Sequence, residues 1–188
     1  MTLAETASIF CETIIRQATL ATGTRDEKLQ VLEASLQGSC QVVVDISSRF
    51  FFEQSVFETR AQRELNPSEL CQMMKEAQLK TYGDGLDEDA LHPYMWAAKP
   101  HYYGSPYYNF PYMFGLLFGL GLYTVYQKEG EGFKARYDDL LSSTGLDDAA
   151  GLAQRFGIDI RSTEFWDGSL NLIRADIDAF SALVEVTP

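Results

Sequence analysis

Chemistry that moves protons or holds metals needs imidazoles, carboxylates, thiols or phenols in a workable arrangement, and this chain has only two histidines, His92 and His101. Each stands beside a proline, and their separation does not put them on one helical face, as an i, i+4 zinc pair requires. Taken alone, each reads as a hydrogen-bonded loop histidine. His101 opens the segment "HYYGSPYYNFPY", whose tyrosines can donate hydrogen bonds without carrying charge into a site. On composition alone, the segment reads as an aromatic core cluster. Near the start, Thr2 and Glu5 form T-x-x-E, the spacing of a capping box, which gives Glu5 a structural role. The chain contains no H-E-x-x-H, nucleophile elbow, Walker loop or dinucleotide fingerprint. Cys11, Cys40 and Cys71 are too few and too scattered for a disulfide framework or a C-x-x-C metal site, so reduced thiols and a cytoplasmic location are expected.

The elements that must carry these residues read as helices almost throughout. Apolar residues at Ala7, Phe10, Cys11, Ile14, Ile15 and Ala18 keep helical spacing from residue 4 to about 21, and Gly23 supplies a stop. A second helix, capped by Thr24, runs from Asp26 towards Arg63, with a bend expected near Gly38. Its "VVVDISSRFFF" stretch is β-branched but lacks two-residue alternation and flanking turns, so it reads as helix. "NPSE" begins a third helix, with Pro67 early and Ser68 and Glu69 supporting the first turn, and "TYGDG" ends it. The proline- and tyrosine-rich stretch after it is expected to be mostly irregular. Further helices are expected over 111–129, from Gly132 to Ser143, from Asp147 to Phe156 and from Thr163 to Val184.

The 188 residues, 46% hydrophobic and 13% aromatic, suit one packed domain over 1–188. A formal net charge of -12 argues against nucleic acid and anionic membrane surfaces as partners and favours basic or neutral ligands. Glu5, Glu12 and Arg16 interrupt any signal-peptide core. No Asp, Glu, Lys or Arg occurs between Lys99 and Lys128, and "GLLFG" has the spacing at which membrane helices approach closely. Yet "YMFGLLFGLGLYTVY" falls short of the roughly 20 residues a bilayer demands, so a buried central helix is expected, its glycines admitting close neighbours.

Three stretches carry a more specific message. "LAETASIFCE", then "HPYMWAAKPHYYGSPYYNFPYMFGLLFGLGLY", then "GIDI" with "EFWDGSLNLI", in that order, closely resemble the C-terminal part of the oligoendopeptidase F family, zinc metallopeptidases related to thimet oligopeptidase. The resemblance covers nearly the whole chain and implies an all-α, multi-helix domain with a Tyr/Pro-rich loop. It implies an oligopeptide substrate and a zinc ion held by two histidines of an H-E-x-x-H helix and one glutamate. Glu5, in "AETAS", matches that glutamate. A His2Glu set leaves one position for a water that the metal acidifies, with the glutamate between the histidines as general base. Glu12, two turns after Glu5, matches a carboxylate that orients a ligating histidine, although a solvated face explains it as well. The resemblance assigns His101, Tyr108 and Tyr112 to catalysis, as groups that stabilise the oxyanion, and Tyr107 and Tyr103 to substrate binding. The loop differs from the thimet type in length and glycine content.

The chain also departs from the family pattern. Four residues precede Glu5, so the H-E-x-x-H helix, with two ligands and the general base, is absent. Met1 resembles an internal residue of a parent enzyme. The expectation is therefore a C-terminal fragment, one half of a split gene or a truncated reading frame, binding zinc weakly and inactive by itself. A separate N-terminal peptidase portion would complete it; without that portion, bare apolar faces should promote self-association. The competing reading is a non-catalytic peptide-binding or scaffold remnant.

Overall fold

The computed structural model describes Leu3 and residues 5–185, and every regular element among them is helical. The helices are α1 (Thr6–Thr22), α2 (Arg25–Ser39), α3 (Ile46–Arg60), α4 (Pro67–Tyr82), α5 (Met95–Ala98), α6 (His101–Gly104), α7 (Phe110–Glu129), α8 (Glu131–Ser142), α9 (Ala149–Arg155) and α10 (Thr163–Glu185). The chain divides into two compact units, Met1–Gly38 with Phe114–Pro188, and Ser39–Met113. The long helix expected from Asp26 is one helical run from α2 to α3, interrupted by a π-helical turn at Cys40–Asp45, just past Gly38. A π turn takes an extra residue, which shifts the register of the helix beyond it. Its last residue, Asp45, is buried and ion-paired with buried Arg49 one turn on.

In the first unit, α7 is the buried centre, as its composition predicts. Phe118 and Leu122 are fully buried and join Phe10, Phe133, Leu140 and Leu152 in one core. Phe10 lies among Tyr126, Phe133 and Tyr137, with ring centroids 4.6 to 5.9 Å away. The glycines of "GLLFG" do what their spacing promised: a β-carbon on Gly119 would come within 2.7 Å of Ile9 Cγ2. Among the described residues no helix is long and apolar enough to cross a membrane.

Only part of the apolar series of α1 turns inward. Thr6, Phe10 and Thr13 are buried, whereas Cys11, Ile14, Ile15 and Ala18 are exposed. Polar bonds account for this choice. Thr13 Oγ1 donates to Ile9 O at 2.7 Å, while Arg16 pairs with buried Asp176 of α10 and donates to Ser35 Oγ of α2 at 3.0 Å. Turning Ile14 and Ile15 inward would unmake an ion pair already out of water.

In the second unit, Phe52, Met74 and Ala77 pack α3 on α4. The start of α4 is a complete capping box: Asn66 Oδ1 accepts from Glu69 N and Glu69 Oε2 from Asn66 N, both at 3.0 Å, with Pro67 in the first turn. The segment expected to be mostly irregular contains α5, α6, one short 3-10 turn at Glu88–Ala90 and the first residues of α7. Fully buried Gln78 anchors it by donating to His92 O at 3.1 Å and accepting from His92 N at 3.3 Å. An amide side chain thus does for the loop what a neighbouring strand would do.

Candidate functional site

The candidate residues fall in both units. In the first, Glu5 immediately precedes α1 and is exposed. Thr2, its expected capping-box partner, lies outside the described residues, and Glu5 itself makes no side-chain cap. Ser8 Oγ donates to Glu5 O at 2.9 Å and to Glu5 Oε2 at 3.2 Å. Opposite lies Gly115 of α7, where a β-carbon would stand 3.0 Å from Glu5 Cβ. A carboxylate is therefore held at the start of a helix by close backbone approach, with its oxygens largely available. Glu12 is exposed on the same helix.

In the second unit, His101 begins α6 and Tyr112 lies in the first turn of α7, with Tyr108 between them in sequence. Their rings meet as a triangle. His101 stacks on Tyr108 at 5.5 Å, and Tyr112 stands edge-on to both at 5.9 Å. Sequence reasoning grouped these three, and the fold brings them together. His101 Nδ1 is buried without a hydrogen-bond partner, leaving a donor or acceptor that nothing in the unit satisfies. Tyr103 is exposed, and its hydroxyl donates to Trp96 O at 3.2 Å. The Tyr107 ring instead packs on Phe50 and Phe57 of α3, at 5.5 and 5.2 Å.

Tyr107 also has φ 52, a left-handed conformation that a tyrosine adopts at a cost, and one that recurs in functional loops. Its backbone N–H donates to Glu53 Oε1 at 2.7 Å. Glu53, on α3, is only 4% exposed. Burial raises its pKa, opposed by the Tyr107 N–H and by the nearby Asn109 amide. Glu53 was missed at the sequence level, and its signal was faint: a lone acid following three phenylalanines, in a helix where acids usually face water.

This is an all-helical protein whose histidine and tyrosines converge on one loop, with a carboxylate displayed at the start of α1. The model of peptidase family M3 matches residues 1–172, and the chain belongs to that family. Oligopeptidase PepF of Bacillus subtilis (strain 168) is 26% identical over 186 residues, covering 97% of this chain and 27% of that protein. The crystal structure of oligoendopeptidase-F from Enterococcus faecium matches with a TM-score of 0.89 at 21% identity, covering 99% of this chain and 36% of that one. The chain thus spans roughly a quarter to a third of these relatives, and the second likeness concerns the fold. Among the described residues no group of three or more His, Cys, Asp or Glu is placed to hold a metal ion. The zinc implied by the resemblance does not fit these residues by themselves: three protein donors and a water are needed, and Glu5 is one of the three.

Proposed function

We propose that residues 1–188 form one domain, the C-terminal catalytic portion of a zinc endopeptidase that cleaves oligopeptides in the cytoplasm, and that the domain hydrolyses nothing by itself. The observation that carries this reading is that the family match runs through residues 1–172 of a chain containing no H-E-x-x-H. An upstream peptidase portion supplies two histidines and the general base; this chain adds Glu5 as a further zinc ligand and Glu12 to orient one of those histidines. With such a set completed by the upstream portion, Glu5 would be one of the zinc ligands, and the bound metal would supply an acidified water and a polarised carbonyl. The residues of this chain hold the substrate and its developing charge. Tyr108 and Tyr112 donate to the oxyanion, and their packing against His101 limits the reorganisation this requires. Tyr103 and Tyr107 line the path of the peptide.

Mixing the full chain with the upstream portion of a family M3 peptidase and zinc, then following a quenched fluorescent peptide, tests the proposal. Cleavage should exceed that of either part alone. Tyr108→Phe and Tyr112→Phe should each lower kcat by about 10²-fold, the loss expected for one oxyanion donor. A mixture no more active than its parts overturns the split-enzyme reading. The second reading, a peptide-binding or scaffold protein, draws on the same aromatic triangle; saturable peptide binding without turnover would establish it. Exposed Ile14 and Ile15, the latter 68% accessible, leave α1 a bare apolar face suited to the upstream portion or to self-association.

A further inference from the structure

Within the second unit, α3, α4, α5 and α6 border a cavity of about 380 Å³, in the size range of small-ligand sites. Phe57, Trp96, Tyr102 and Tyr103 contribute aromatic wall, and Leu65 and Leu70 contribute aliphatic wall. Three charged residues border it. Arg60 and Glu64 are exposed and of opposite sign, while Glu53 is buried.

Glu53 is the unusual member. Its Oε1 accepts from Tyr107 N–H, but its Oε2 is buried with no partner at hydrogen-bond distance, and the Asn109 amide only opposes the rise of the Glu53 pKa. A buried carboxylate oxygen without a partner is costly, so the site is improved by any group that supplies one. An anionic ligand would add like charge. An apolar ligand would fill the volume but leave the oxygen unpaired. A cation satisfies the carboxylate and is attracted to the faces of the surrounding rings. Trp96 Nε1 and the Tyr102 hydroxyl in the same wall also lack partners, and both can donate to a peptide carbonyl. That combination fits a cationic side chain carried on a peptide.

We infer that this cavity is a subsite for a lysine or arginine side chain of a bound peptide, with Glu53 as its counter-ion, the aromatic wall around the charge and Leu65 and Leu70 along the stem. The inference rests only on the peptide-binding part of the proposed function and needs neither metal nor hydrolysis. It also gives the Glu53–Tyr107 bond a use, because the carboxylate that meets the side chain also holds the tyrosine loop.

Isothermal titration of the full chain with Ac-Ala-Arg-Ala-amide, its lysine, norleucine and glutamate analogues, and unblocked Ala-Ala-Ala-amide tests it. The arginine and lysine peptides should bind one to one, at least tenfold tighter than the norleucine peptide, and the glutamate peptide weakest. Glu53→Gln, with its fold checked by circular dichroism, should erase the tenfold preference for the arginine and lysine peptides over the norleucine peptide. Leu70→Phe, which narrows the cavity without altering charge, should weaken the arginine and norleucine peptides alike and serves if Glu53→Gln does not fold. Equal affinity for arginine and norleucine, an unchanged arginine affinity in Glu53→Gln, or no weakening in Leu70→Phe overturns the proposal. Binding of the unblocked trialanine as tight as that of the arginine peptide overturns the side-chain assignment in favour of an amino terminus. Tight, Glu53-dependent binding without turnover in the mixing assay leaves this inference standing and removes the split enzyme; turnover without a basic preference does the reverse.

Discussion

At the scale of single residues, Glu53 illustrates how a stability cost and a site coincide. Burial raises its pKa, so the folded state holds the proton more firmly than the unfolded one. The stability linked to that proton is fully present at acid pH and is lost as pH rises through the folded pKa. Glu53→Gln keeps the acceptor for Tyr107 N–H and never ionises. Its unfolding midpoint in urea should match the parent near pH 4 and exceed it increasingly towards pH 7; a gap independent of pH would show that Glu53 is not desolvated. His101, Tyr108 and Tyr112 were legible as a set only through the family resemblance of the short segment that carries them. Glu53 was not, since its meaning depends on a loop more than fifty residues away donating a backbone N–H to it.

At the scale of elements, helix ends and close approaches carry local information and can be tested locally. Asn66→Ala removes one half of the α4 capping box and should cost about 1 kcal/mol in urea unfolding. Gly119→Ala adds a methyl where Ile9 already stands and should cost about 1–3 kcal/mol, with Ile9→Ala recovering part of the loss in the double variant. Full additivity would mean that α1 and α7 do not meet there. Pro67, Glu69 and the glycines of α7 announced these features through their residue types. The π turn at Cys40–Asp45 did not, because its residues have no preference that separates it from ordinary helix; the buried Asp45–Arg49 pair marks it only after folding.

At the scale of the molecule, the Arg16–Asp176 pair joins α1 to α10, two helices at opposite ends of the chain, within the first unit. Arg16→Met leaves Asp176 buried and unpaired and should cost about 3–5 kcal/mol, whereas Arg16→Met with Asp176→Leu should regain most of it. Failure of the double variant to recover would show that the pair does more than cancel its own burial. The same pair, with Phe10 in the core, accompanies a face of α1 that leaves Cys11, Ile14, Ile15 and Ala18 exposed.

By itself the sequence determined that this protein is helical, where most helices begin and end, and which family its ordered aromatic and acidic stretches belong to. Those properties follow from periodicity, caps, glycines and residue identity, all carried by neighbours along the chain. Only the tertiary structure decided that α1 buries two threonines and pairs its arginine with Asp176, that His101, Tyr108 and Tyr112 close into a triangle, and that Glu53 is buried in the wall of an aromatic cavity. Each of those outcomes turns on a charge or a ring meeting a distant partner, and the energy of such a meeting is not written in either residue alone.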